Sequence, residues 1–383
     1  MTINVLQDIL SMGYQPDEIV PALRSLMSGL QEKSRKANHI EYGGSQGEYL
    51  EIVVKDDHVT EETNIVKVNM DSSLWTLLQS QLQQAENNSI SKVTRTILYS
   101  NKELDGYVNV DNWIQLRPTL HNLEVNEPYN YAYGNAVDYP VPTVVETFYK
   151  STELGFLIGH RRSKAVKEAC WFISAFVTFP LYSLNENLVW IQKEATDNTS
   201  YMLARHGMNT GFENADENSF SDVSALQPLQ FEQTQSYFHL IHMSRLFSVP
   251  NLKQLYDKFL SLDDRSKRQF TRACAYMFTA SNPNFEYSLK IAAYVNAIES
   301  LLTGINGKKQ KFKTFVDTYV PYSPKTQHYY HLLYHWRSKI AHGSWHLQVD
   351  EPMFGWTYDS HLMSNVASSA AKQGIINWLL AQP

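Results

Sequence analysis

The sequence predicts an α+β N-terminal domain followed by an all-α bundle. Short apolar runs typical of strands recur between residues 49 and 110, and apolar residues at helical spacing dominate the last third of the chain. A polar stretch, residues 194–228, separates the two patterns. A chain of 383 residues exceeds one ordinary core, so two domains are expected, 1–228 and 229–383.

An opening helix is expected over residues 16–37, begun by Pro16-Asp17-Glu18, whose acids suit a helix N-terminus. Residues 49–54 and 64–70 read as strands separated by a charged turn, and residues 75–84 as a short helix. Residues 94–99 and 107–110 continue the strand pattern, with Asp105-Gly106 as the turn between them. Residues 120–142, rich in Tyr, Asn and Pro, read as a long surface loop. A strand at 144–149, an apolar helix at 163–179 and a strand at 187–191 follow. Residues 194–228 are polar, with Gly207 and Gly211, and form a candidate linker or ordered excursion. Helices resume at Phe231 and continue to the end, including 252–260 and 264–279.

Composition narrows the class of protein. Hydrophobic residues make up 43% and aromatics 13%, ample for globular packing. A net charge of −6 argues against indiscriminate coating of nucleic acid but leaves room for a local basic cleft. Cys170 and Cys274 lie far apart with no Cys-x-x-Cys spacing. Neither a disulfide framework nor a cysteine zinc site is expected, in keeping with a reducing cytoplasm. Met1-Thr2-Ile3-Asn4-Val5 lacks the basic start and apolar core of a signal peptide. The most apolar run, residues 169–182, is shorter than the roughly 18–20 residues needed to cross a bilayer and is interrupted by Pro180. It reads as a core element of a cytoplasmic protein with no membrane partner.

The chemistry-bearing stretch is Arg337-Ser338-Lys339-Ile340-Ala341-His342-Gly343. Arginine is a permanent cation suited to gripping phosphate, and histidine switches between acid and base near neutral pH. Upstream, Ile291, Val295, Ile298 and Leu302 form one helical stripe, broken before by Asn282-Pro283-Asn284 and after by Thr303-Gly304-Ile305-Asn306-Gly307. A second helix is expected at 308–319. A third, at 324–341, packs Leu332, Leu333, Trp336 and Ile340 and ends at Gly343. On an ideal helix, Arg337 and His342 point about 140° apart, so one straight helix does not easily aim both at one phosphate. Either the helix loosens before Gly343, or two copies of the segment build a shared cleft.

This order of an Ala-Ile-Glu-Ser-Leu-Leu helix (from Ala297), a lysine-rich helix and an Arg-Ser-Lys-Ile-Ala-His-Gly helix resembles the Apea-like HEPN family. The resemblance covers about residues 245–380 and implies a HEPN-like α-helical bundle. It implies a metal-independent endoribonuclease, used in anti-phage defence or toxin-like growth arrest, whose sites form between two copies of the bundle. His342 would move protons at the ribose 2′-OH or the 5′-oxygen, and Arg337 would stabilise charge on the phosphorus. The product would carry a 2′,3′-cyclic phosphate. Ser338 is a candidate phosphate donor or merely faces water, and the resemblance suggests that Glu299 orients Arg337, against the plainer reading of a solvated glutamate. RNA and a second copy of the chain are the implied partners, with a trigger or antitoxin unidentified. No cofactor or metal is expected. The N-terminal domain would sense a trigger or restrain the nuclease. The alternative is a non-catalytic HEPN scaffold that binds nucleotide, RNA or a partner protein.

Lys308, Lys309, Lys311, Lys313 and Lys339 are candidate guides for an RNA backbone, against the plainer reading of a solvated helix face. Phe312 and Phe315 read as core. His328, His331 and His335 fall at helical spacing, but no His-Glu-x-x-His pattern accompanies them, and neutral histidines beside Tyr329-Tyr330 are the safer reading. His335 shares a stripe with His342 and is a candidate second imidazole; His346 is another, beyond the helix. Gly159-His160-Arg161-Arg162-Ser163-Lys164 reads as a basic turn entering a helix, a weak candidate anion site. Pro128-Tyr129-Asn130-Tyr131-Ala132-Tyr133-Gly134 could stack bases or sugars, or simply cover a sheet edge.

Overall fold

The early strand-like runs form an antiparallel sheet. In the computed structural model, β1 (Ile3–Asn4), β2 (Gln31–Lys36), β3 (His39–Gly43), β4 (Tyr49–Asp57) and β5 (Thr60–Asn69) lie in the order β1-β5-β4-β3-β2. Described are residues 3–26, 31–36, 39–43, 49–57, 60–69, 72–100, 104–120, 141–177, 181–183, 188–195, 198–205, 217–229, 252–282, 285–302, 307–321, 327–342 and 358–383. The expected loop at 120–142 falls almost wholly outside these residues, as do Phe231, the Pro128–Gly134 tyrosines and His346. In β4 and β5, Ile52 faces Val66 and Val53 faces Ile65, after which a bulge shifts the register to Val54 and Thr63.

The opening helix is shorter than expected. A 3₁₀ turn, Pro16–Glu18, leads into α2 (Ile19–Leu26), preceded by α1 (Leu6–Ser11). Residues expected to extend that helix instead form β2. Gln-Glu-Lys-Ser-Arg-Lys offers no apolar stripe to hold a helix on a core, whereas as an edge strand it pairs the backbone groups on one side with β3.

The described chain divides into two compact units: residues 1–94, 148–166 and 216–219, and residues 95–147, 167–215 and 220–383. In the first, Val5, Ile9, Ile19, Leu23, Leu82 and Leu157 are buried in one core with Trp75 and Leu78 of α3 (Ser72–Asn87). Beside that core, Arg161 donates to Glu18 at 2.7 and 3.0 Å and to Glu86 at 2.8 Å. Lys150 also pairs with Glu86. His160 and Lys164 hold Asp17 at 3.0 and 2.8 Å. This corrects the expected anion-binding turn. Helix α4 (Gly155–Phe176) begins well before Gly159, so residues 159–164 lie inside it, and Arg161 is buried against carboxylates.

The second unit holds most of the sheet β6-β9-β8-β7, from β6 (Ile90–Ser100), β7 (Val108–Val110), β8 (Ile114–Pro118) and β9 (Val141–Ser151). Gly106 precedes β7 at φ +147°, a conformation that L residues rarely adopt, and the Gln227 carbonyl sits where its side chain would be. In this sheet Arg95 and Arg117 donate to Glu146 at 2.6 and 2.9 Å, and Gln115 donates to it at 2.8 Å. Burial works to raise the Glu146 pKa, but Arg117 and Ser221 outweigh it and hold the carboxyl below its usual range. Ser221, from the stretch read as a possible linker, donates to Glu146 at 2.6 Å through its hydroxyl and 2.9 Å through its N–H. Part of that stretch is therefore an ordered excursion, and another part forms β11 (Asn198–Arg205), paired with β10 (Leu188–Ala195).

The C-terminal helices are α5 (Leu252–Ser261), α6 (Asp264–Ala280), α7 (Tyr287–Ser300), α8 (Lys308–Tyr319), α9 (Gln327–Ala341) and α10 (Tyr358–Leu380). An α+β N-terminal half is thus followed by a helical C-terminal half. Helix α7 packs against α6, α9 and α10, with Ile291, Val295 and Ile298 fully buried. Trp113 stacks on Tyr256 (4.6 Å between centroids) and meets Phe172 edge-on (4.9 Å). Phe270 continues this aromatic seam to Trp378. Lys372 donates to the Val177 carbonyl at 3.0 Å, just past the end of α4, and burial pushes its ammonium down to about 8. Among the described residues no helix is long and apolar enough to cross a membrane.

Candidate functional site

Helices α7 and α9 bring Arg337, Asn296 and Glu299 together. Asn296 and Glu299 stand three positions apart on α7 and therefore share a face. The Arg337 Nε–H donates to Asn296 Oδ1 at 3.1 Å, and Arg337 Nη2 lies 3.4 Å from Glu299 Oε2. Glu299 is mostly buried, and its second oxygen, Oε1, has no hydrogen-bond partner among the described residues. Arg337 keeps 31% of its side chain exposed, so the guanidinium is anchored yet reachable. The sequence reading missed Asn296, although its spacing from Glu299 on one helix was available as a signal.

His342 lies one residue past α9 and is exposed. Its N–H donates to the Ser338 carbonyl at 3.1 Å, an i to i−4 bond that carries the helical path through the histidine. The helix does not loosen between the two residues. Arg337 and His342 therefore keep an angular separation of about 140° around the axis. Arg337 turns to α7 while His342 faces water. Ser338 is half-buried and Lys339 exposed.

The lysines do not gather on one face. Lys309 and Lys313, four positions apart on α8, share a side, whereas Lys311 projects about 160–200° from them. Lys309 is exposed, Lys311 and Lys313 are half-buried, and the Lys308 side chain lies outside the described residues. Phe312 and Phe315 are buried, in keeping with core roles. His331 Nε2 lies 2.6 Å from Asp317 Oδ1, while His328 and His335 are exposed. No group of three or more His, Cys, Asp or Glu suited to a metal ion occurs among the described residues. The two cysteines are buried; burial pushes the Cys170 thiol up to about 12 and raises that of Cys274, which suits inert core residues.

Comparison of the chain with family models, with curated proteins and with solved structures finds no match.

Proposed function

We propose that the C-terminal helical region is a HEPN-type endoribonuclease that cleaves RNA without a metal ion and serves in anti-phage defence or growth arrest. One observation carries the reading: a guanidinium anchored from behind by an amide and a carboxylate, still reachable from solvent, on a helix that ends in an exposed imidazole. Arg337 would hold a phosphodiester and stabilise charge on phosphorus. His342 would take the 2′-OH proton or give one to the departing 5′-oxygen. The Arg337–Glu299 pairing also supports the second reading, a HEPN scaffold whose arginine is structural.

The test uses the purified full chain with RNA in excess EDTA. Cleavage should persist, leave 2′,3′-cyclic phosphate ends and stop at a 2′-deoxy position. Arg337→Ala and His342→Ala should each reduce the rate by about 10²-fold or more. Activity abolished by chelation and restored by a divalent cation would sink this mechanism. RNA binding without cleavage, indifferent to both substitutions, would establish the scaffold.

A further inference from the structure

We infer that Asn296 is a positioning residue for the anion site proposed at Arg337, acting by fixing which edge of the guanidinium a phosphate can reach; the inference rests on the nuclease reading. Guanidinium carries two donor forks, one along Nε and Nη2 and one across Nη1 and Nη2. Helix α7 occupies the first: Nε donates to Asn296 at 3.1 Å and Nη2 faces Glu299 at 3.4 Å. Among the described residues nothing occupies the second fork, and the side chain remains partly exposed.

The neutrality of Asn296 matters as much as its oxygen. Glu299 already supplies one negative charge beside Arg337, so a second carboxylate would compete with an incoming phosphate for the same cation. An amide fixes the plane of the guanidinium without adding to that competition. Asn296 is part-buried and meets Arg337 through Nε, so in this scheme it affects the reaction only through Arg337.

Two substitutions separate positioning from bulk structure. Asn296→Ala removes the acceptor, whereas Asn296→Asp keeps its shape and adds charge. In nitrogen-resolved spectra of the full chain, the Arg337 Nε–H should be protected from exchange. Asn296→Ala should accelerate that exchange by about tenfold or more, and Asn296→Asp should preserve the protection. In RNA cleavage, Asn296→Ala should lower kcat about tenfold with KM changed less than about threefold, because a loosely held arginine still attracts phosphate. Asn296→Asp should raise KM, with the melting temperature unchanged or higher. Nε exchange that is equally fast in wild type and Asn296→Ala would overturn the anchoring. Cleavage by Asn296→Asp at wild-type kcat and KM would overturn the argument from neutrality. If the wild-type chain cleaves no RNA, the nuclease reading fails, and the exchange measurement still decides whether Asn296 holds Arg337.

Discussion

At the scale of single residues, the chain spends its buried charge on structure in one place and on a reachable cation in another. Arg161 is buried against two carboxylates, whereas Arg337 has one carboxylate, one amide and open solvent. The sequence does not separate them: both arginines sit in helices beside other basic or polar residues, and Glu18 lies 143 positions from Arg161. Asp17 makes the difference measurable. Burial works to raise its pKa, but the hydrogen bond from His160 and the Lys164 ammonium outweigh it and hold the carboxyl at about 2. In the unfolded chain an aspartate titrates near ~3.9, so the folded state binds its proton less readily. The stabilisation is therefore full above about pH 4 and is lost as pH falls toward about 2, amounting to roughly 2 kcal/mol. Asp17→Asn should be less stable than wild type at pH 6 in urea denaturation, with the gap closing by pH 2. A gap independent of pH would mean that packing, not charge, holds this residue.

At the scale of elements, legibility follows where side chains go. Helix α8 was read at its observed bounds, and α7 was read from Tyr287 to about two residues past its observed end, because a stripe facing one core leaves a clean period of 3.6. Strands β4 and β5, expected at 49–54 and 64–70, run further into the charged segment between them, to Asp57 and from Thr60. Strand β8 was missed: Ile114-Gln115-Leu116-Arg117-Pro118 alternates, yet Gln115 and Arg117 are buried beside Glu146 instead of facing water. Partners 31 and 29 positions away are invisible to any local window. Helix α10 illustrates a packing constraint that propensity alone would misjudge. Alanine is the better helix former at Gly374, but a Cβ there would lie 2.8 Å from Phe315 Cε1 and 3.3 Å from Val320 Cγ2. Phe315 is buried and packs on Tyr319 with centroids 4.9 Å apart, so its ring cannot swing aside freely. Gly374→Ala should therefore cost about 1–3 kcal/mol in denaturant unfolding, despite its helical preference. A stabilised variant would show that α8 and α10 have slack between them.

At the scale of the whole molecule, the proposed site has to be completed by something beyond one α9 helix. The second unit joins the C-terminal helices to Trp113 and Phe172 through the aromatic seam, so a fragment from residue 229 would expose Tyr256, Phe259 and Phe270. Experiments on the site therefore belong to the full chain. Within that chain the i to i−4 bond from His342 to Ser338 keeps imidazole and guanidinium on divergent faces. On the nuclease reading we propose a second copy, placed on a two-fold axis so that the His342 of one chain meets the Arg337 of the other, which would give two equivalent clefts. Light scattering should report a dimer. Arg337→Ala and His342→Ala chains should each be inactive alone, because each destroys one half of both clefts. Unfolded and refolded together in equal amounts, they should give about one half heterodimers, each with one cleft intact, and so about a quarter of wild-type activity. If both residues of a cleft came from one chain, the mixture would stay inactive while still dimeric. A strictly monomeric chain that cleaves RNA would refute the shared cleft and require His342 to reach its own Arg337 by unwinding the end of α9.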